Sequence, residues 1–130
     1  MTPEQVQLVR STIAALADHP EFADRFYIRL FEVAPATEAM FGDLEAQRQK
    51  LTDELAGMVD LLGDLSSLDA RAAELGRRHR DYGVRAGHYP VARAVMVDTL
   101  GDVLGDAFGT EEREAWERAT MLITELMQAG

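Results

Sequence analysis

His79 is the residue of this sequence best suited to bind a metal. It follows Leu68, Ala72 and Leu75 at spacings of 4, 3 and 4 residues, so it lies on the apolar stripe of a predicted helix. A neutral imidazole in apolar surroundings is a good ligand for a transition metal. The same position also suits a core histidine whose ring nitrogens bond to backbone or water. The spacing alone leaves both roles open.

The sequence gives His79 no partner ligand. His19 lies at a predicted helix break, His88 lies farther along the chain, and no histidine at i+4 or glutamate at i+3 follows His79. The chain has no cysteine, which excludes thiolate metal sites, iron–sulfur clusters and disulfides. A metal held through one histidine therefore requires a macrocycle that fills four coordination positions itself, which is the situation in haem.

Two further polar residues fall among predicted apolar positions. Tyr27 lies in an aromatic cluster one turn before Phe31, and its hydroxyl needs a hydrogen-bond partner if it is buried. Gln47 lies one turn before Leu51 on the same face, where burying an unpaired amide would cost roughly 1–3 kcal/mol. Either side chain could face a bound ligand. Alternatively, the tyrosine bonds to a backbone carbonyl and the glutamine faces solvent at the helix edge.

Positive charge is concentrated in one segment, Arg77-Arg78-His79-Arg80, with Arg85 beyond it. Guanidinium groups suit the carboxylates of a bound acid, although a solvated helix face is the simpler explanation. The whole chain carries a net charge of −10. We therefore expect no nucleic-acid partner, because such proteins need a basic surface to replace the counterions of phosphates.

Helices must position these residues, because apolar residues recur at helical spacing along the whole chain. No segment alternates with a period of two, so we expect an all-α fold with about seven helices. The expected N-terminal caps are Thr2 with a capping box, Asp43, Ser66 or Ser67, and Thr110. Tyr27, Gln47 and His79 would then lie on three different helices, from three different parts of the chain.

Composition limits the domain count and the location. A chain of 130 residues, 47% of them hydrophobic, suits a single domain over residues 1–130. The first residues, MTPEQVQLVR, are polar and mixed in charge, unlike a signal peptide. No apolar run approaches the roughly 20 residues that span a bilayer. We therefore expect no membrane partner and a cytoplasmic location.

Four segments stand in a characteristic order: FYIRLFEVAPATEAMF at 26–41, ELGRRHRDYGV at 74–84, HYP at 88–90 and EAW at 114–116. They resemble the second and third helices, the proximal-histidine segment and two later landmarks of the bacterial haemoglobins. That family includes the haem domain of flavohaemoglobins and related single-domain globins. The resemblance covers essentially the whole chain. It implies a globin fold around a pocket for haem b (iron protoporphyrin IX).

The resemblance also implies roles for individual residues. His79 matches the proximal iron ligand, and Tyr27 and Gln47 match the distal pair that stabilises a bound gas. The positions that match haem contacts are Phe41, Lys50, Leu51, Arg78, Val84, Tyr89 and Met96. Among these, Lys50 and Arg78 match positions near the haem carboxylates. The stretch from Phe41 to Gln47 is slightly shorter than in close relatives.

The function that the resemblance implies is reversible binding of a diatomic gas (oxygen, nitric oxide or carbon monoxide) at a His79-ligated iron, for oxygen storage or transport. One alternative is a nitric oxide dioxygenase or a peroxidase supplied with electrons by an external reductase. The peroxidase is the weaker of these, because the glutamate that joins the proximal histidine in flavohaemoglobins is not expected before Gly130. A further alternative is a cofactor-free helical interaction module or a gas sensor.

Overall fold

Helices follow one another along this chain with short connections. The computed structural model describes residues 1–129, and Gly130 lies outside the described residues. The six α-helices are α1 (Pro3–Ala15), α2 (Phe22–Val33), α3 (Leu44–Asp60), α4 (Leu65–Asp81), α5 (His88–Leu104) and α6 (Thr110–Ala129). Three short 3-10 helices accompany them at Leu16–Asp18, Pro35–Met40 and Gly105–Ala107. Residues 1–129 contain no β-strand.

The all-α prediction is confirmed. The seven predicted segments correspond to the six α-helices and the 3-10 helix at Pro35–Met40, while the other two 3-10 helices extend α1 and α5. The short segment is 3-10 rather than α because Pro35 opens it and it is only six residues long, a length at which the tighter winding is common. No helix in the described part of the chain has the length and apolar character needed to cross a membrane.

Two predicted caps are confirmed. Thr2 Oγ1 accepts the backbone N–H of Gln5 at 3.1 Å, and Gln5 Oε1 accepts the backbone N–H of Thr2 at 3.0 Å, which completes the capping box of α1. Asp43 Oδ1 accepts the N–H of Ala46 at 3.1 Å and so caps α3. This second cap fixes where the helix that carries Gln47 begins.

Two predicted caps are wrong. Asp64, not Ser66 or Ser67, caps α4, and its carboxylate accepts both the N–H of Ser67 at 3.2 Å and the hydroxyl of Ser67 at 2.7 Å. A charged carboxylate accepts two hydrogen bonds at once, which a serine hydroxyl in the first turn does not match. Thr110 is the first residue of α6 rather than its cap. Helix α4 therefore begins two or three residues before the predicted start, and α6 begins one residue before it.

The C-terminal helix α6 packs against α1, α4 and α5, while α2 packs against α3 and α5. Trp116 of α6 is fully buried in the main apolar core, together with Phe22 and Leu100. A second apolar cluster joins α3, α4, α5 and α6 around Met58 and Leu68. This second cluster forms the floor of the crevice described below.

Two helices approach each other closely three residues before His79. Gly76 of α4 is buried against the backbone of α6, and a Cβ atom on Gly76 would collide with the carbonyl of Met127. Only glycine permits this contact. It fixes the position of the helix that carries His79 relative to α6.

Candidate functional site

A deep crevice separates α3 from α4 and α5. The space within it that protein atoms leave free amounts to about 1610 Å³, including its open side. Its walls come from every α-helix except α1, and apolar side chains make up most of them. A large, mainly apolar cleft with a few polar groups is typical of a binding site for a small molecule or cofactor.

All ten residues that the sequence nominates line this one crevice. They are Tyr27, Phe41, Gln47, Lys50, Leu51, Arg78, His79, Val84, Tyr89 and Met96. The structure therefore brings Tyr27 and Gln47 to the same cavity as His79, although up to 52 residues separate them in the chain. The slightly short connection before α3 does not move Gln47 away from the cavity.

One ring nitrogen of His79 makes a hydrogen bond within the protein and the other is free. Nδ1 lies 2.8 Å from the carbonyl oxygen of Leu75, one turn earlier on α4. A carbonyl can only accept, so Nδ1 carries the proton and Nε2 keeps its lone pair. Burial lowers the pKa of His79 below its usual 6.5, and the hydrogen bond to Leu75 opposes that shift. The ring is thus held neutral and in the tautomer that leaves Nε2 available to a metal.

Tyr89 of α5 supports the His79 ring from one side. The two rings are stacked with centroids 6.5 Å apart and an angle of 24° between their planes. Tyr89 is buried, and burial raises the pKa of its hydroxyl. The second residue of α5 therefore restrains the orientation of the imidazole on α4.

Tyr27 lies in an aromatic cluster on the opposite wall. Its ring makes edge contacts with Phe26 and Phe41, at centroid distances of 5.1 Å and 5.3 Å, and a tilted contact with Phe31 at 6.0 Å. The side chain is 4% exposed, and burial raises the pKa of its hydroxyl to about 12. Within residues 1–129 the hydroxyl has no hydrogen-bond partner, so it remains a free donor beside the crevice.

Gln47 adds a second polar group to the same wall. It lies in the first turn of α3, where its backbone N–H donates to the carbonyl of Asp43 at 3.2 Å. The side chain is half-buried and its amide makes no hydrogen bond to the described residues. The amide can therefore donate to a ligand in the crevice.

The arginines of the predicted basic cluster have different surroundings. Arg77 faces solvent and binds Glu74 and Asp81 on its own helix, so the solvated-face interpretation is correct for it. Arg80 reaches the carbonyl of Met127 at 3.4 Å. Arg78 alone lines the crevice, and its buried Nε atom has no hydrogen-bond partner among residues 1–129. The exposed part of its guanidinium suits the carboxylate of a bound acid.

Several crevice residues were not predicted from the sequence. The most notable is Glu54 of α3, with Met58 one turn later and Tyr82 and His88 at the other wall. Glu54 follows Gln47 by seven residues, so helical periodicity places both on one face. That spacing could have identified Glu54 before the structure did.

The donor set suits a metal that arrives inside a macrocycle. Among the described residues no group of three or more histidine, cysteine, aspartate or glutamate side chains could hold a bare metal ion. The crevice instead offers the neutral imidazole of His79, a large apolar space and the guanidinium of Arg78. These features fit haem, which needs one protein nitrogen, apolar walls and cations for its carboxylates.

Known proteins of several kinds are similar to this chain. A flavohaemoprotein of Bacillus subtilis is 27% identical over 125 residues, covering 92% of this chain but only 31% of that protein's length. The chain thus spans about a third of the flavohaemoproteins it matches. An anaerobic nitrite reductase of Oryza sativa is 30% identical over 125 residues, covering 91% of this chain and 86% of that protein.

Solved structures and a family model agree on the fold. An engineered carbene transferase from Rhodothermus marinus has a TM-score of 0.89 and 28% identity, covering 99% of this chain and 92% of its own. A bacterial globin from Campylobacter jejuni has a TM-score of 0.83 at 20% identity, covering 98% of this chain and 94% of its own. The family model described as Globin matches residues 24–127, so the chain belongs to the globin family.

Proposed function

We propose that this globin holds haem b in the crevice through His79 and binds a diatomic gas there reversibly. A haem held there would supply an iron able to take up such a gas. The observation that carries the proposal is the meeting of a neutral, oriented imidazole with two unpaired hydrogen-bond donors across one apolar cavity. Membership of the globin family supports the haem, since haem binding is the property that the family implies.

His79 is the proposed ligand because its tautomer, its neutral form and its ring orientation are already favoured without a metal. Leu75 accepts the Nδ1 proton, so no tautomer change is needed for Nε2 to donate its lone pair. Burial lowers the pKa of His79 and so favours the neutral ring, in which that lone pair is free. Stacking against Tyr89 restrains rotation of the ring.

Tyr27 and Gln47 are the proposed partners of the bound gas. The Tyr27 hydroxyl stays protonated well above neutral pH because its pKa is about 12, so it is a donor rather than an anion. Each donor would contribute about 1–3 kcal/mol toward a ligand with partial negative charge in so dry a cavity. Slow release of oxygen is the expected result.

The remaining nominated residues would hold the macrocycle itself. Phe41, Leu51, Val84 and Met96 supply apolar contact, which favours a porphyrin and excludes water. Lys50 and Arg78 are the cations available for its two carboxylates. Water exclusion matters for function because it slows oxidation of ferrous iron.

A second candidate function is nitric oxide dioxygenation with a separate reductase. The flavohaemoproteins that match this chain favour it, and the Rhodothermus marinus protein is provisionally described as a nitric oxide dioxygenase. A peroxidase is less well supported, because His79 Nδ1 donates to a backbone carbonyl and not to a carboxylate that would strengthen its donation. Mixing the oxygenated protein with nitric oxide, with and without a reductase, separates turnover from a single reaction.

Two other predictions stay predictions. These are the organisation of residues 1–130 as a single domain and the cytoplasmic location. The remaining alternatives are a gas sensor and a cofactor-free interaction module. A cofactor-free module would not take up hemin, which distinguishes it from the proposed function.

The decisive experiment is an absorption spectrum of the protein after hemin addition, recorded in the ferric, ferrous and carbon monoxide forms. We expect the spectra of a histidine-ligated haem with the wild-type chain and their loss in His79→Ala. Added imidazole should restore part of the signal in that variant. A protein that stays colourless after hemin addition would contradict the proposal and favour a cofactor-free module.

A further inference from the structure

Glu54, which lines the crevice, lies between two arginines. Its Oε1 atom is 3.8 Å from Nη2 of Arg78, and its Oε2 atom is 3.6 Å from Nη2 of Arg71. Glu54 belongs to α3, whereas both arginines belong to α4. These three charged side chains, which we call the Glu54 bridge, therefore join the two walls between which a flat ligand would lie.

The backbone of α3 is shaped to accept this bridge. The guanidinium of Arg71 occupies the space where Gly57, one turn after Glu54, would carry a Cβ atom. A Cβ atom at that position would require the flexible end of Arg71 to shift. Gly57 thus leaves room for Arg71 to lie close to α3.

Two atoms of the bridge are buried and lack hydrogen bonds. They are Oε2 of Glu54 and Nε of Arg78, within the described residues. Both atoms are closed to solvent, so an anion in the crevice would meet the exposed part of the Arg78 side chain, which is 43% exposed. Arg71 offsets the charge of Glu54, and the positive charge of Arg78 is left over for an anion. Arg78 lines the crevice, so that anion would lie inside it.

We propose that Glu54 and Arg71 are positioning residues that hold the Arg78 guanidinium against a haem carboxylate and so slow the loss of haem. The inference rests on the proposed function, because it takes haem as the acid that Arg78 binds. Glu54 acts through Arg78: it restrains the arginine from one side while the haem carboxylate binds it from the other. The bridge also ties α3 to α4.

Hemin loss from the loaded, full-length protein to an excess of apomyoglobin tests this role. We expect Glu54→Gln to lose hemin about fivefold faster than the wild type, the size typical of a partly exposed ion pair. Arg71→Met should also speed the loss, and it serves if Glu54→Gln folds poorly. Arg78→Met should lose hemin at least as fast as Glu54→Gln. A variant that combines Glu54→Gln with Arg78→Met should be no faster than Arg78→Met alone.

Glu74→Gln is the matched control, because it breaks an ion pair with Arg77 on the outer face of the same helix. It should leave hemin loss unchanged. A merely structural role for Glu54 would lower the melting temperature of the hemin-free protein but would add to the effect of Arg78→Met. Additive effects, or wild-type or slower hemin loss in Glu54→Gln, would overturn the inference while leaving the proposed function intact. Failure of the wild type to take up hemin would overturn both, and it is seen before any variant is made.

Discussion

The two walls of the crevice differ in whether their polar groups already have hydrogen-bond partners. On the α4 side, the Nδ1 proton of His79 already has an acceptor in Leu75, and the ring is stacked on Tyr89. On the α2 and α3 side, Tyr27 and Gln47 have no hydrogen-bond partners within residues 1–129. One wall thus fixes a single side chain in orientation, whereas the other keeps donors unused. A protein that must bind a metal firmly and a small ligand reversibly needs both arrangements.

Burial has a different chemical consequence on each wall. It raises the pKa of the Tyr27 hydroxyl to about 12 and lowers the pKa of the His79 imidazole. In both cases the neutral form is favoured, because a charge is poorly solvated in the crevice. Neutral tyrosine is a hydrogen-bond donor, and neutral histidine has a lone pair for a metal. The same apolar surroundings therefore prepare two different functions.

Removing the imidazole should have the largest effect. In His79→Ala we expect hemin to be lost faster by on the order of 100-fold or more, because the metal's one protein ligand is gone. Transfer to apomyoglobin measures the rate. His19→Ala is the control, since His19 pairs with Glu21 and does not line the crevice. Equal rates in both variants would assign the metal to another residue.

The next largest effect, on stability, is expected from disturbing the contact between α4 and α6 at Gly76. Gly76→Ala places a methyl group against the carbonyl of Met127, and the resulting overpacking should lower the free energy of unfolding by about 1–3 kcal/mol. Gly42→Ala is the control, because nothing lies within 4 Å of a Cβ atom there. Urea denaturation of the hemin-free proteins measures both. A stable Gly76→Ala protein would show that α4 and α6 can separate at little cost.

Changing the opposite wall should alter gas release rather than haem retention. We expect Tyr27→Phe to release oxygen roughly tenfold faster, because one donor to the bound ligand is lost. Hemin loss should stay close to the wild-type rate, which distinguishes this wall from that of His79. Tyr82→Phe is the control: Tyr82 lies at the same crevice but is 53% exposed. Rapid mixing with carbon monoxide measures the release, and an unchanged rate in Tyr27→Phe would remove Tyr27 from the distal pair.

The smallest effects are expected in the pH dependence of stability, where His79 and Tyr27 act at opposite ends of the pH range. The pKa of His79 in the folded chain lies below 6.5, so the unfolded chain takes up the proton first and stability falls as the pH drops below that value. The pKa of Tyr27 lies above 10.0, so stability falls only as the pH rises past 10.0 toward 12. Denaturation of the hemin-free protein across this range measures both slopes. His79→Gln should reduce the acid slope and Tyr27→Phe the alkaline one, and an unchanged slope in either variant would contradict the stated cause.

Much of the fold was predictable because helices are local. Apolar periodicity, Pro35 and the caps at Thr2 and Asp43 predicted where helices lie, since each acts over a few neighbouring residues. The caps of α4 and α6 were predicted wrongly, because several polar residues compete at each start and side-chain geometry decides among them. The chemistry of His79 was likewise visible as a polar residue on an apolar stripe.

The sequence by itself determined the helical class, the single candidate ligand and the types of residue that could surround it. The resemblance to bacterial haemoglobins already implied that Tyr27, Gln47 and His79 share a pocket and that Arg78 faces it, and the structure shows them lining one cavity. Only the tertiary structure decided that Arg77 pairs with Glu74 and Asp81 outside it and that Glu54 joins its two walls. The physical reason is that helix formation depends on near neighbours, whereas a crevice depends on how separate helices pack. That packing is set by contacts such as Gly76 on α6, which no periodicity reveals.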